Sequence, residues 1–192
     1  MSEGTFHFKA VPAAIRTAQI IGVTSAAALS GYIACFSVVT VPAMQIDSAP
    51  PATIAKQWQK AYWIGAGTAP AMAVFSSLSF GYLASQAAKL PKVWYNTSLD
   101  PRPSFNLYSA AAVLVPAIVP FTLFIMKDTN AKLHHKANSM STEVKDDSEL
   151  TELLPKWKLL NNIRASFPGI AAILGLWAIV SRPDFVGLNV MK

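Results

Sequence analysis

The stretch TAQIIGVTSAAALSGYIACFSVVTVPAMQI, residues 17–46, contains no Asp, Glu, Lys or Arg. Three later stretches share that property, 61–88, 103–126 and 165–181, so the four runs hold 30, 28, 24 and 17 residues. A helix crossing the hydrocarbon of a bilayer needs about 20 mostly apolar residues, with a range of roughly 17–25. Three runs meet that length outright. The fourth sits at its lower limit, but Trp157, Leu159, Leu160 and Ile163 extend its apolar character and Arg164 can snorkel. The fold expected is all-α, a four-transmembrane-helix bundle, with spans at about 17–42, 61–88, 104–126 and 157–181. Residues 1–192 then form a single integral membrane domain. The polar segment 127–155 reads as a loop, with 139–152 (SMSTEVKDDSELTE) mobile or a short surface helix.

Composition agrees with that class. Of the 192 residues 53% are hydrophobic and only 14% charged, against roughly 25% charged in an ordinary soluble domain. Too few polar groups remain to cover a water-facing surface, which excludes disorder, a coiled coil and most soluble folds. The net charge of +6 would suit nucleic acid, but the basic residues are scattered between apolar blocks, as they are where they flank membrane spans. No nucleic-acid partner is read from it. A single cysteine, Cys35, excludes a disulfide framework, a Cys-rich zinc site and a dithiol redox couple. The first run follows Lys9 and Arg16, yet it is twice as long as the 7–15 or so apolar residues of a signal peptide. It reads as a retained span.

Four spans place both termini and residues 89–102 on one face, and residues 47–60 and 127–155 on the other. The first face carries seven Lys and Arg and the second nine, a split too even to orient the chain. A glycosylation sequon, Asn96-Thr97-Ser98, lies between spans two and three. The location expected is the endoplasmic reticulum or another internal membrane.

Three stripes of polar and aromatic residues recur at helical spacing. Trp58, Tyr62 and Gly65 open span two, Thr122, Met126 and Asn130 close span three, and Trp157, Asn161 and Arg164 open span four. Residues at i, i+3/i+4 and i+7/i+8 share a helix face. Antiparallel threading brings all three stripes to one end of the bundle. A belt of interfacial Trp and Tyr accounts for one such stripe; three that converge on an ionisable residue facing a bundle interior point to a site. Pro116, Pro120 and Pro168 each remove a backbone donor and can kink a span.

The inventory is as informative for what it lacks. The three histidines, His7, His134 and His135, do not form the repeated clusters of a membrane di-iron oxygenase. No HExxH, GxGxxG, P-loop or GxSxG motif occurs. An enzyme built from this chain is expected to need no metal and no organic cofactor. His134, four residues beyond Asn130, continues the stripe of span three and has the ordinary pKa of a general base. A solvated loop histidine beside Lys132 and Lys136 is the plainer reading of it.

Three segments carry a family resemblance: WQKAYWIGAGTAP at 58–70, PFTLFIMKDTNAKL at 120–133 and WKLLNNIRASFPGIAAILG at 157–175. They resemble the W-x3-Y-x2-G, P-x-T-x3-M-x3-N-x2-L and W-x2-L-N-x2-R patterns of the anthrone oxygenases, small four-span membrane proteins of polyketide biosynthesis. Span one matches only by hydropathy and Pro42, and no family role transfers to His134 or His135. The resemblance implies oxidation of an anthrone by O2 to an anthraquinone without a cofactor. On that reading Arg164, Asn130 and Asn161 donate hydrogen bonds to an enolate oxygen, as in an oxyanion hole. Trp58, Met126, Trp157 and Thr122 frame the aromatic substrate with Tyr62. The base is His134, Tyr62 or an activated water. The expected partners are the anthrone, O2 and membrane lipid, with oligomerisation left open. The rivals are a non-catalytic membrane scaffold, which needs no enclosed pocket, and a small transporter, which needs a polar path that the hydroxyls of Thr24, Ser25, Ser30, Ser76, Ser77 and Ser79 scarcely supply.

Overall fold

The structure, a computed structural model, describes residues 11–46, 48–89, 102–139 and 146–181. Five helices account for nearly all of them, and no strand occurs among them. Helix α1 is Ala13–Met44, with a π-turn at Phe36–Thr40. Helix α2 is Pro51–Ala88, started by Pro51, whose fixed φ and missing N–H suit the first helical turn. Helix α3 runs from Arg102–Leu114 through a break at 115–117 into Ile118–Pro120 and a second π-turn, Phe121–Ile125. Helices α4, Lys127–Ser139, and α5, Ser148–Ser181, complete the chain.

The spans therefore exceed their expected limits, and the supposed loop 127–155 is mostly helical. Asp147 accounts for part of this. Its side chain accepts the N–H of Leu150 at 2.9 Å and caps α5, so that helix starts nine residues before the expected span. Lys136 of α4 bonds to Asp147 Oδ2 and Glu149 Oε2, both at 2.8 Å, and ties the α4–α5 hairpin together. The Asn96 sequon lies outside the described residues.

Helices α1, α2, α3 and α5 form a ring in that order, each packed on its two neighbours, while α4 covers one end against α2 and α5. Three helices are long and apolar enough to cross a membrane, within Ala13–Met44, Ser104–Ile125 and Ser148–Val180. Helix α2 is not among the three, so the four-span count stands at three by this measure. Its serines and Gln86 lower its hydropathy. Two of those serines are spent on neighbours: Ser76 Oγ donates to Gly22 O and Ser77 Oγ to Ala112 O, each at 2.9 Å. Ala112 O is available because Pro116, four residues on, has no N–H to give it.

The core centres on Leu29, Phe80, Leu83, Tyr108 and Val115, all essentially buried. Gly175 permits the approach of α5 to α2, since a Cβ there would run into the Phe80 ring. The outward faces carry Ile20, Val38, Leu78, Phe124, Leu176 and Trp177, each more than half exposed. In water such a surface would aggregate.

Candidate active site

Two interruptions of regular helix face each other across the upper half of the ring. In α1 the N–H of Val41 reaches Phe36 O, and in α3 that of Met126 reaches Phe121 O, both i to i+5. A π-turn holds one more residue than an α-turn, and such bulges concentrate at functional sites. Between them lies a cavity of about 500 Å³. Its wall includes Tyr32, Phe36 and Thr40 of α1, Ala61–Tyr62 and Ile64–Ala66 with Ala69 and Pro70 of α2, Ile118, Val119, Thr122 and Leu123 of α3, and Trp157 and Arg164 of α5.

Arg164 is the charge on this wall. Its Nη2 donates to Asn161 Oδ1 at 2.7 Å and its Nη1 to Thr122 Oγ1 at 3.0 Å. The Thr122 hydroxyl in turn donates to Ile118 O at 2.7 Å. Arg164 Nε is buried and has no partner, and among the described residues no carboxylate pairs with the guanidinium. An unsatisfied buried donor costs roughly 1–3 kcal/mol. The guanidinium thus stands on the cavity wall with its charge uncompensated among the described residues.

Asn161, fully buried, serves Arg164 from behind. Its amide nitrogen donates to Ile33 O at 2.8 Å and to Ser37 Oγ at 2.7 Å. Both amide hydrogens are thereby spent, leaving none for a substrate oxygen. Asn130 is also turned away from the cavity: its Oδ1 accepts the indole N–H of Trp157 at 2.9 Å. Of the nine residues read from the sequence, Tyr62, Thr122, Trp157 and Arg164 line the cavity. Asn130, Asn161, Trp58, Met126 and His134 do not.

Those five build the layer behind it. Trp58, Met126 and Trp157 are fully buried together, with Trp58 and Trp157 edge to face at 5.6 Å. The His134 ring packs 4.9 Å from that of Tyr62, 5.0 Å from that of Trp58 and 5.2 Å from that of Trp63. Gln59 Nε2 donates to Asn138 Oδ1 at 3.0 Å and approaches His134 Nδ1 at 3.3 Å. Burial pushes the His134 pKa below its ordinary value. Among the described residues no three His, Cys, Asp or Glu side chains stand close enough together to hold a metal.

The family model described as anthrone oxygenase matches residues 58–174. The chain belongs to the anthrone oxygenase family. Anthrone oxygenase encC of Aspergillus fumigatus is 34% identical, over 83% of this chain and 91% of its own. Anthrone oxygenase AgnL2 of Paecilomyces divaricatus is 29% identical over 83% and 93%, and a noranthrone monooxygenase of Aspergillus flavus is 23% identical over 84% and 72%. No solved structure matches the chain. Membership makes it an oxygenase. The anthrone oxygenase match begins at Trp58, so the α1 wall of the cavity and Ser37 lie outside it. The sequence reading missed both, although Tyr32, Phe36 and Thr40 stand at i, i+4 and i+8 and are visible as a fourth stripe.

Proposed function

We propose that the chain converts a polyketide-derived anthrone and O2 to an anthraquinone and water, without a cofactor, as a four-span protein of an internal membrane. The observation that carries this reading is the Arg164 guanidinium, uncompensated and short of a partner, on the wall of an aromatic-sided cavity. Cavities of roughly 300–1,000 Å³ suit small-molecule ligands, and Tyr62, Phe36 and Trp157 supply an aromatic wall against which a flat tricycle can pack. An anthrone has an acidic methylene opposite its ketone. Loss of one proton gives an anthranolate whose negative charge resides largely on oxygen. Arg164 binds that oxygen through the Nη1 and Nη2 hydrogens that Thr122 and Asn161 leave free, stabilising charge as it develops in a low-dielectric site.

The electron-rich anion passes one electron to O2. The resulting carbon radical and superoxide combine at the former methylene carbon, and the peroxide, once protonated, loses water to leave the second carbonyl. Two hydrogens and one oxygen atom leave as water, and the other oxygen atom stays in the quinone. The base must reach the cavity. Tyr62 lines it, whereas His134 does not and only packs against the Tyr62 and Trp58 rings, so proton transfer is assigned to the Tyr62 hydroxyl or a water beside it. Asn161 and Thr122 aim the guanidinium, and Asn130 fixes the Trp157 ring.

The direct test gives purified protein emodin anthrone and O2 in detergent, with a chelator present. The reading predicts quinone formation well above the spontaneous rate and undiminished by the chelator. Formation at the background rate would sink it.

A further inference from the structure

The cavity must exchange its contents with some medium, and its walls differ in how tightly they are shut. Towards α4 it is closed by the fully buried indoles of Trp58 and Trp157. Below it lies the Leu29–Phe80–Val115 core. On the α5 side the bonds of Arg164 to Thr122, and of Asn161 to Ile33 and Ser37, bind α5 to both α3 and α1. The seam between α1 and α2 is pinned at cavity level, where Thr68 Oγ1 donates to Tyr32 Oη at 2.9 Å.

The seam between α2 and α3 carries no such bond at cavity level among the described residues. Among the described residues its last hydrogen bond is Ser77 to Ala112, seven residues along α2 from Pro70 at the deep end of the cavity. Above it the break at 115–117 interrupts α3, and the segment Ile118–Ile125 scarcely touches α2. Its edges in the cavity are Ala66 and Pro70 on α2 and Val119 and Leu123 on α3. Val119 is 50% and Leu123 59% exposed. These edges carry no charge, and they lie about one turn or more below Lys127, where the chain turns polar.

We infer that this seam is a lateral portal through which a flat apolar substrate enters from the hydrocarbon of the bilayer and the product returns to it. The inference rests on the oxygenase reading for the identity of the traveller. Route and chemistry are nevertheless separable, because a constricted portal slows entry and exit alike and leaves affinity unchanged.

Protein in lipid nanodiscs is loaded with emodin, and its release is followed after mixing with excess empty vesicles. The variants are Leu123→Trp and Val119→Trp on the portal, with Leu78→Trp on the outward face of α2, away from the cavity, as the control. Uptake and release should both slow by about tenfold or more in either portal variant, with their ratio changed much less and Leu78→Trp close to wild type, as for a gated step. Quinone formation from emodin anthrone should fall in parallel. Unchanged release in both portal variants, equal slowing in Leu78→Trp, or lost affinity in place of slowed exchange overturns the portal. Turnover by wild type alongside any of those results leaves the oxygenase reading standing. Wild type that neither binds emodin nor oxidises the anthrone overturns both.

Discussion

Arg164 separates a catalytic role from a membrane-anchoring one by what lysine can do in its place. A guanidinium held at two points by Asn161 and Thr122 presents its remaining donors in a fixed fork, which a flexible ammonium does not reproduce. Arg164→Lys should therefore lose roughly 10²-fold in catalysed rate and Arg164→Ala more, the range found for removal of an oxyanion donor. Thr122→Val and Asn161→Ala should fall less, because the charge remains and only its aim is lost. Thermal unfolding measured alongside must stay near wild type. Near-normal turnover in folded Arg164→Lys returns Arg164 to the interface. His134 gives a second prediction. Burial holds its pKa below the ordinary 6.5, so as the pH falls the unfolded chain takes up that proton first. The stability due to neutral His134 is complete above about pH 6.5 and declines below it, towards the native pKa. His134→Phe should flatten the fall in unfolding temperature between pH 7.5 and 5.5; an unaltered slope in the variant would show that another group sets it.

At the level of the helices, the start of α5 depends on Asp147. Burial raises the pKa of this carboxyl, but the bonds from Lys136 and the Leu150 N–H outweigh that and hold it below its ordinary value. Asp147→Ala removes the cap and half of the tie to α4, and should cost about 1 kcal/mol or somewhat more. Chemical denaturation reads the loss, and amide exchange should quicken first at residues 148–152. Global destabilisation without local fraying would contradict the assignment. Hydropathy located the apolar middles of the helices but not their ends, because α2 and α5 extend into polar sequence under local control by Pro51 and Asp147. The stripes had the same limit. Spacing by four residues gives a common face but not a common depth. Met126 and Asn130 follow Thr122 by one and two turns and fall in the layer of Trp58 and Trp157 that closes the cavity, whereas Tyr32, Phe36 and Thr40 of α1 all reach it. In the Trp157–Asn161–Arg164 stripe the first and last residues line the cavity and Asn161 supports the guanidinium from behind.

For the molecule as a whole, the count of spans fixes where the two ends lie. Helix α2 is 38 residues long, about 57 Å at 1.5 Å per residue, nearly twice the roughly 30 Å of hydrocarbon. If its charge-free part, Ala61–Ala88, crosses with the other three, as proposed, both termini share one side and the 140–145 segment lies on the other. Three spans would put the termini on opposite sides. Epitope tags at each end and within 140–145, probed with a protease in sealed vesicles, should show the termini alike and the middle tag opposite. Termini of opposite accessibility would remove α2 from the membrane and leave the cavity wall it forms in water.

Both π-turns exist because a helix has accommodated one residue beyond what its regular winding holds. The shape of the cavity is consequently a matter of chain length as well as of side chains. A relative lacking a single residue within either segment would wind straight there, and its pocket wall would advance even if every lining residue were retained. Gaps of one position in an alignment at 36–40 or 121–125 are thus as informative about substrate size as any exchange of amino acids.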